Sequence, residues 1–166
     1  MFIQIKNIND FLSLIALFCN FYVVYSLDPI LMMGFIITLF TQDFIKELTT
    51  GCYPSIFKRP DGAYDCSIFN TGGLADKHSG FPSGHVAVVS FVMNILYFRN
   101  KVKDYKSFFY YNIPIILVSY ARIMKGCHNL IQVIAGYTLG FIIASILFNY
   151  QNNIYEFIKM KIIQKK

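Results

Sequence analysis

The sequence predicts an all-α fold: a polytopic membrane helix bundle of about five transmembrane helices, with its polar clusters gathered at one membrane face. Three observations carry that expectation. Of the 166 residues, 55% are hydrophobic and only 14% are charged, with a mean hydropathy of +0.48; a soluble domain carries about 25% charged residues. So few charges cannot coat a globule this apolar, and the surrounding solvent is expected to be lipid. The apolar residues fall into five runs of near-spanning length. The basic residues behind the net charge of +6 sit between those runs and in the tail, as membrane proteins place them. They form no stripe with interleaved aromatics, which argues against a nucleic-acid partner. The length suits a single domain, residues 1–166, with no internal repeat or interdomain linker.

The runs are Phe11–Leu27, Pro29–Leu48, His85–Phe98, Phe108–Ile123 and Leu130–Phe148. A spanning helix needs roughly 20 residues, so the shorter runs must extend into their flanks. Pro114 is expected to kink the fourth, which membrane helices tolerate. The first run has a rival reading as a cleaved signal peptide, with Val24 and Ser26 at the cleavage positions. Asp10 beside Lys6 weakens the charged leader, and a retained span is preferred. Cys19 reads as a buried apolar residue, and the many Tyr and Phe as lipid-facing or interfacial surface.

Between the second and third runs lies one long polar segment, Thr49–Gly84, with Lys58, Arg59, Pro60, Asp61, Asp65, Asp76, Lys77 and His78. Connections this long are usually functional or disordered. Asp76 and His78 are not expected to be catalytic. With five spans, this segment, the Arg122–His128 turn and the N-terminus share one face. The opposite face holds Arg99, Lys101, Lys103, Lys106 and the tail lysines 159, 161, 165 and 166. Its denser basic clusters mark it as cytoplasmic. The polar face is then luminal or extracytoplasmic.

Three clusters meet on that polar face. One is Lys58-Arg59-Pro60, with Lys46 upstream; the second is Pro82-Ser83-Gly84-His85, at a helix entrance; the third runs from Arg122 to His128 and on to Gln132. Gln132 follows His128 by four residues, on one helical face. Helix entrances attract anions. Arginines grip phosphate oxygens in bidentate fashion, and backbone amides complete a cradle.

These residues resemble the type 2 phosphatidic acid phosphatase (PAP2) superfamily of membrane lipid phosphatases. Its signature is Lys, six residues, Arg-Pro; then Pro-Ser-Gly-His; then Ser-Arg, five residues, His, three residues, Asp. This chain has Arg59-Pro60, the whole Pro82–His85 block, and Arg122 followed after five residues by His128, over roughly residues 46–140. It departs at three places. Ala121 replaces the Ser, Cys52 occupies the Lys position, and Gln132 replaces the Asp. Lys46 or Lys58 is left to fill the first block, with Lys46 preferred, although Asp43 and Glu47 could simply pair with it. The Gln resembles the third motif of dolichyl-diphosphatases and glucose-6-phosphatases.

The resemblance implies an active site at one membrane face that hydrolyses a lipid phosphate without a cofactor or metal. His128 is then the nucleophile and forms a phosphohistidine, while His85 protonates the leaving oxygen and later activates water. Arg59, Arg122, a lysine (Lys46 or Lys58) and the amides near Ser83 and Gly84 stabilise the phosphoryl oxygens. Gln132 fixes the His128 tautomer. On that view Gln132→Asp, which restores the usual family residue, should be tolerated. The chain itself has no metal-ligand spacing such as paired Cys-x-x-Cys. Two other readings stay open: a catalytically silent relative that binds phospholipid headgroups, and a lipid phosphotransferase. The oligomeric state is left undecided. An oxidising compartment would allow a Cys52–Cys66 bridge to staple the long segment, whereas in a reducing one both remain thiols.

Overall fold

A computed structural model describes residues 3, 5–52, 56–75 and 78–163; Asp76, Lys77 and the tail lysines 165 and 166 lie outside the described residues. Six helical pieces make five rods: α1 (Ile8–Ser13) with α2 (Ile15–Ser26), α3 (Pro29–Thr49), α4 (Gly84–Arg99), α5 (Tyr105–Met124) and α6 (Leu130–Ile163). The described residues contain no strand beyond two isolated bridges in the long connection. Three rods are long and apolar enough to cross a membrane: Ile8–Ser26, Pro29–Thr49 and Leu130–Lys161.

Local chemistry sets the ends. Asn7 and Asp10 form a reciprocal capping box that starts α1. Leu14 interrupts the helix, and Leu27 closes α2 in the left-handed conformation. Asp28 caps α3 by accepting from the Ile30 and Leu31 amides, with Pro29 at the first helical position. Asp104 caps α5, which runs through Pro114 as one helix.

The fifth run ends far later than hydropathy places it. α6 continues to Ile163, roughly 51 Å at 1.5 Å per residue, against about 30 Å of hydrocarbon. No proline or glycine follows Gly140, so nothing stops the helix where its apolar character fades. Its outer turns are held by Arg99, which bonds Gln151, Tyr155 and Asp28 at 3.0, 3.0 and 2.7 Å.

α4 is the central rod. Val86 to Val92 and Ile95 are all buried, and α4 packs against α2, α3, α5 and α6. A helix apolar all round belongs in the middle. Its closest partner is α6. A Cβ on Gly136 would meet the Ser83 carbonyl, and one on Gly140 would meet Ala87 and Phe91 backbone atoms. Two glycines four residues apart thus let the backbones touch, as small residues do between membrane helices. The entrance of α6, with His128 and Gln132, is thereby pressed against the entrance of α4, with Ser83 and His85.

Candidate active site

The long connection folds over this end of the bundle instead of hanging free. Asn70 donates to the Asp10 carbonyl, the Gly80 amide to Phe57, and Arg59 to the Cys127 carbonyl. A disulfide joins Cys66 to Cys127. The expected Cys52–Cys66 pair is therefore wrong. Cys52 is an exposed free thiol at the end of α3, whereas Cys66 and Cys127 stand with Cα atoms 5.6 Å apart, within bridging reach. The bridge closes a separation of 61 residues, worth on the order of 4 kcal/mol by chain entropy. It fixes the residue beside His128. A second fastener lies next to it. Lys125 and Asp10, both almost buried, pair at 2.6 Å, and Lys125 also reaches Asn70 at 2.7 Å.

His128 is held in one tautomer. Its Nδ1 lies 2.9 Å from the Gly80 carbonyl and 3.1 Å from Gln132 Oε1. The Gln132 amide is oriented without ambiguity, because its Nε2 donates to the Ile56 and Lys58 carbonyls at 2.9 and 2.7 Å. Both neighbours of Nδ1 are thus acceptors, so Nδ1 carries the proton and Nε2 the lone pair. Nε2 stands 3.4 Å from Arg59 Nη1. Burial, followed by the charges of Arg122 and Arg59, holds the His128 pKa well below its ordinary value.

At this end of the bundle several buried polar atoms lack partners among the described residues: Arg59 Nε, Arg122 Nε and Nη1, Ser83 Oγ and His85 Nε2. Arg122 is fully buried, and Nη2 is its one bonded nitrogen, donating to the Cys66 carbonyl at 2.7 Å. Among the described residues neither arginine is in an ion pair. Buried donors in this state are costly, and they mark a place where a ligand completes the hydrogen bonding. Guanidinium donors, a hydroxyl and the open first-turn amides of α4 fit an anion with several oxygens, as phosphate is. A cavity of about 430 Å³ opens here, lined by Lys46, Arg59, Gly84, His85 and His128. Its other wall is apolar, with Phe35, Leu39 and Val88.

Two of the expected residues take different parts. Lys58 bonds Asp61 at 2.8 Å with both side chains exposed, and it meets the site through its backbone carbonyl on Gln132. Lys46 pairs with Asp43 at 3.3 Å and also lines the cavity. If the role that the resemblance implies holds, Lys46→Ala lowers catalytic efficiency by about 10²-fold, as loss of one charge-stabilising donor does. Lys58→Ala should change it by no more than about twofold; the reverse ranking in steady-state kinetics would assign the site cation to Lys58. The Ser83 amide is also committed, to the Gln132 carbonyl at 2.9 Å, which leaves its hydroxyl as the free group.

Sequence reasoning missed Gln42 and Asn20, whose amide oxygens have no partner among the described residues and whose side chains line the cavity. A signal existed for each: a lone amide within an apolar helix. Gln42 also precedes Lys46 by four residues, on one face. It missed Gly80 as well. A Cβ there would collide with the Gln132 amide. No group of three His, Cys, Asp or Glu side chains suited to a metal ion occurs among the described residues.

A family model described as the PAP2 superfamily matches residues 29–156. No curated protein and no solved structure matches the chain.

Proposed function

The chain belongs to the PAP2 superfamily, and from that premise we propose that it is an integral membrane phosphatase that cleaves a lipid phosphate or polyprenyl diphosphate through a phosphohistidine at His128. The observation that carries this reading is the fixed tautomer: two acceptors on Nδ1 leave Nε2 with a lone pair facing Arg59 Nη1, while Arg59 Nε and Arg122 Nε and Nη1 have no partner among the described residues. His128 Nε2 attacks phosphorus, and His85 gives a proton to the departing oxygen. Arg59, Arg122, Lys46 and the α4 entrance carry the charge on the equatorial oxygens. Water then splits the phosphohistidine, with His85 as the base.

The apolar wall of the cavity supports a lipid over a soluble phosphate ester. Within that class a polyprenyl diphosphate is the preferred substrate, on the resemblance of His128, three residues, Gln132 to dolichyl-diphosphatases. A silent headgroup binder would have little use for a tautomer lock on one histidine and an unpartnered nitrogen on another. The test is phosphate release by the purified protein from a panel of phosphatidate, lysophosphatidate and polyprenyl diphosphates. Release from none of them, by protein that is folded, would sink the proposal; transfer of the group to a second lipid would make it a phosphotransferase.

The site is proposed to face the lumen or the cell exterior. Arg99, Lys101, Lys103 and Lys106 lie at the opposite ends of α4 and α5, and Lys159 and Lys161 at the far end of α6. Short basic connections of that kind stay in the cytoplasm. A disulfide within the site end also fits an oxidising compartment. Cys52 supplies a native probe, being an exposed thiol on that end. An impermeant maleimide should label it in intact cells or from the luminal side of microsomes, and non-reducing peptide mapping should recover Cys66 joined to Cys127. Labelling from the cytosolic side alone would invert the orientation.

A further inference from the structure

We propose that Gln42 holds the hydrolytic water for the second half of the reaction, an inference that rests on the phosphohistidine reading above. Gln42 lies on α3 one turn before Lys46, and both line the cavity that contains Arg59, His85 and His128. It is 7% exposed, and its Oε1 has no hydrogen-bond partner among the described residues. No step assigned so far uses it. A buried amide oxygen without a partner is costly, so a group from outside the folded chain is expected to complete it.

Position narrows what that group is. Gln42 packs against Gly84, the residue before His85, so closely that a Cβ there would meet its amide oxygen. His85 Nε2 likewise has no partner among the described residues. An amide oxygen only accepts, so the missing partner must donate. A phosphoryl group held by Arg59 and Arg122 presents mainly ionised oxygens, which would repel Oε1. Water can donate one proton to Gln42 Oε1 and the other to neutral His85 Nε2, which leaves an oxygen lone pair for phosphorus.

The step balances. The water oxygen bonds phosphorus as the P–N bond to His128 Nε2 breaks, and the electron pair of that bond returns to Nε2. The His128 ring keeps its proton on Nδ1, bonded to Gly80 and Gln132. One water proton passes to His85 Nε2; the other stays on the new phosphate oxygen, against Gln42. Inorganic phosphate leaves, and His85 is again charged to protonate a leaving group. Of the reacting groups, Gln42 bonds only the attacking water, so it serves the second step and not the first.

That asymmetry supplies the test. Gln42→Met keeps the volume and removes the acceptor. The purified full chain in detergent is mixed with dioctanoyl phosphatidate or farnesyl diphosphate radiolabelled at the terminal phosphorus, quenched in alkali at short times, and assayed for label on His128. Labelling should proceed near the wild-type rate, while loss of label slows by about tenfold or more. Labelled protein therefore accumulates at steady state. Gln42→Asn withdraws the oxygen by one methylene and should give the same pattern, and it stands in if the methionine variant does not fold. Parallel slowing of both steps, or loss of label at the wild-type rate, overturns the inference and leaves the phosphatase reading intact. A wild-type chain that never carries alkali-stable label overturns the phosphohistidine reading and the inference with it.

Discussion

His128→Ala is expected to abolish phosphate release, and His85→Ala to lower it by about 10²–10⁴-fold, the usual worth of a general acid–base. The difference follows from the parts proposed for them. Without Nε2 no covalent intermediate forms, and the remaining donors can only bind substrate. Without His85 the intermediate can still form, more slowly, because a leaving oxygen must depart unprotonated. The pH profile adds an independent check. Attack needs a neutral His128, and burial together with the charges of Arg122 and Arg59 holds its pKa well below the ordinary 6.5. A lowered pKa means that the lone pair survives at pH values where an exposed histidine is mostly protonated. The acid limb of kcat/KM should therefore lie below 6.5. Either alanine variant turning over within a few-fold of wild type, or an acid limb at or above that value, contradicts these roles.

Much of this was legible in the sequence, for reasons that explain what was not. Hydropathy marks where a helix meets lipid, so the starts at Pro29, Gly84 and Leu130 were readable to within a residue. It does not mark where a helix ends in water, so the outer turns of α6 and their clamp on Arg99 were invisible. Motif spacing named His85, His128, Arg59 and Arg122 because those side chains carry recognisable chemistry. Partners that act through backbone leave no such trace: the carbonyls of Gly80, Ile56, Lys58 and Cys66 are set by folding alone. Cysteine pairing failed for the same reason. Cys52 and Cys66 are near in sequence, but the long segment turns back over the α5–α6 connection and brings Cys66 to Cys127. Asp10 looked like a fault in a leader and is the buried counter-ion of Lys125.

Gln132→Asp should be strongly impaired, although it restores the residue usual in the family and sequence alone argues for its tolerance. The structure argues against that expectation through the other half of the amide. Gln132 Nε2 donates to two carbonyls, Ile56 and Lys58, and Oε1 accepts from His128 Nδ1 and the Asn129 amide. The side chain is completely buried. An aspartate is one methylene shorter and has no donor, so its second oxygen would face carbonyl oxygens while the first withdraws from the ring. Each buried carbonyl left unpaired costs roughly 1–3 kcal/mol, with repulsion added. Those carbonyls belong to the segment that carries Arg59, so displacing them moves the donor proposed for phosphate. Turnover should fall by about 10²-fold or more, since misplacement of this order has that effect. Gln132→Ala should be milder, because the Gly80 carbonyl still holds Nδ1 and water can enter the vacated space to satisfy the carbonyls. The expected order of residual activity is wild type, Gln132→Ala, Gln132→Asp, then His128→Ala, measured on protein shown by thermal melting to be folded. An aspartate variant with wild-type turnover would mean that the loop can exchange both carbonyls for other partners, and that the role of Gln132 ends at the ring.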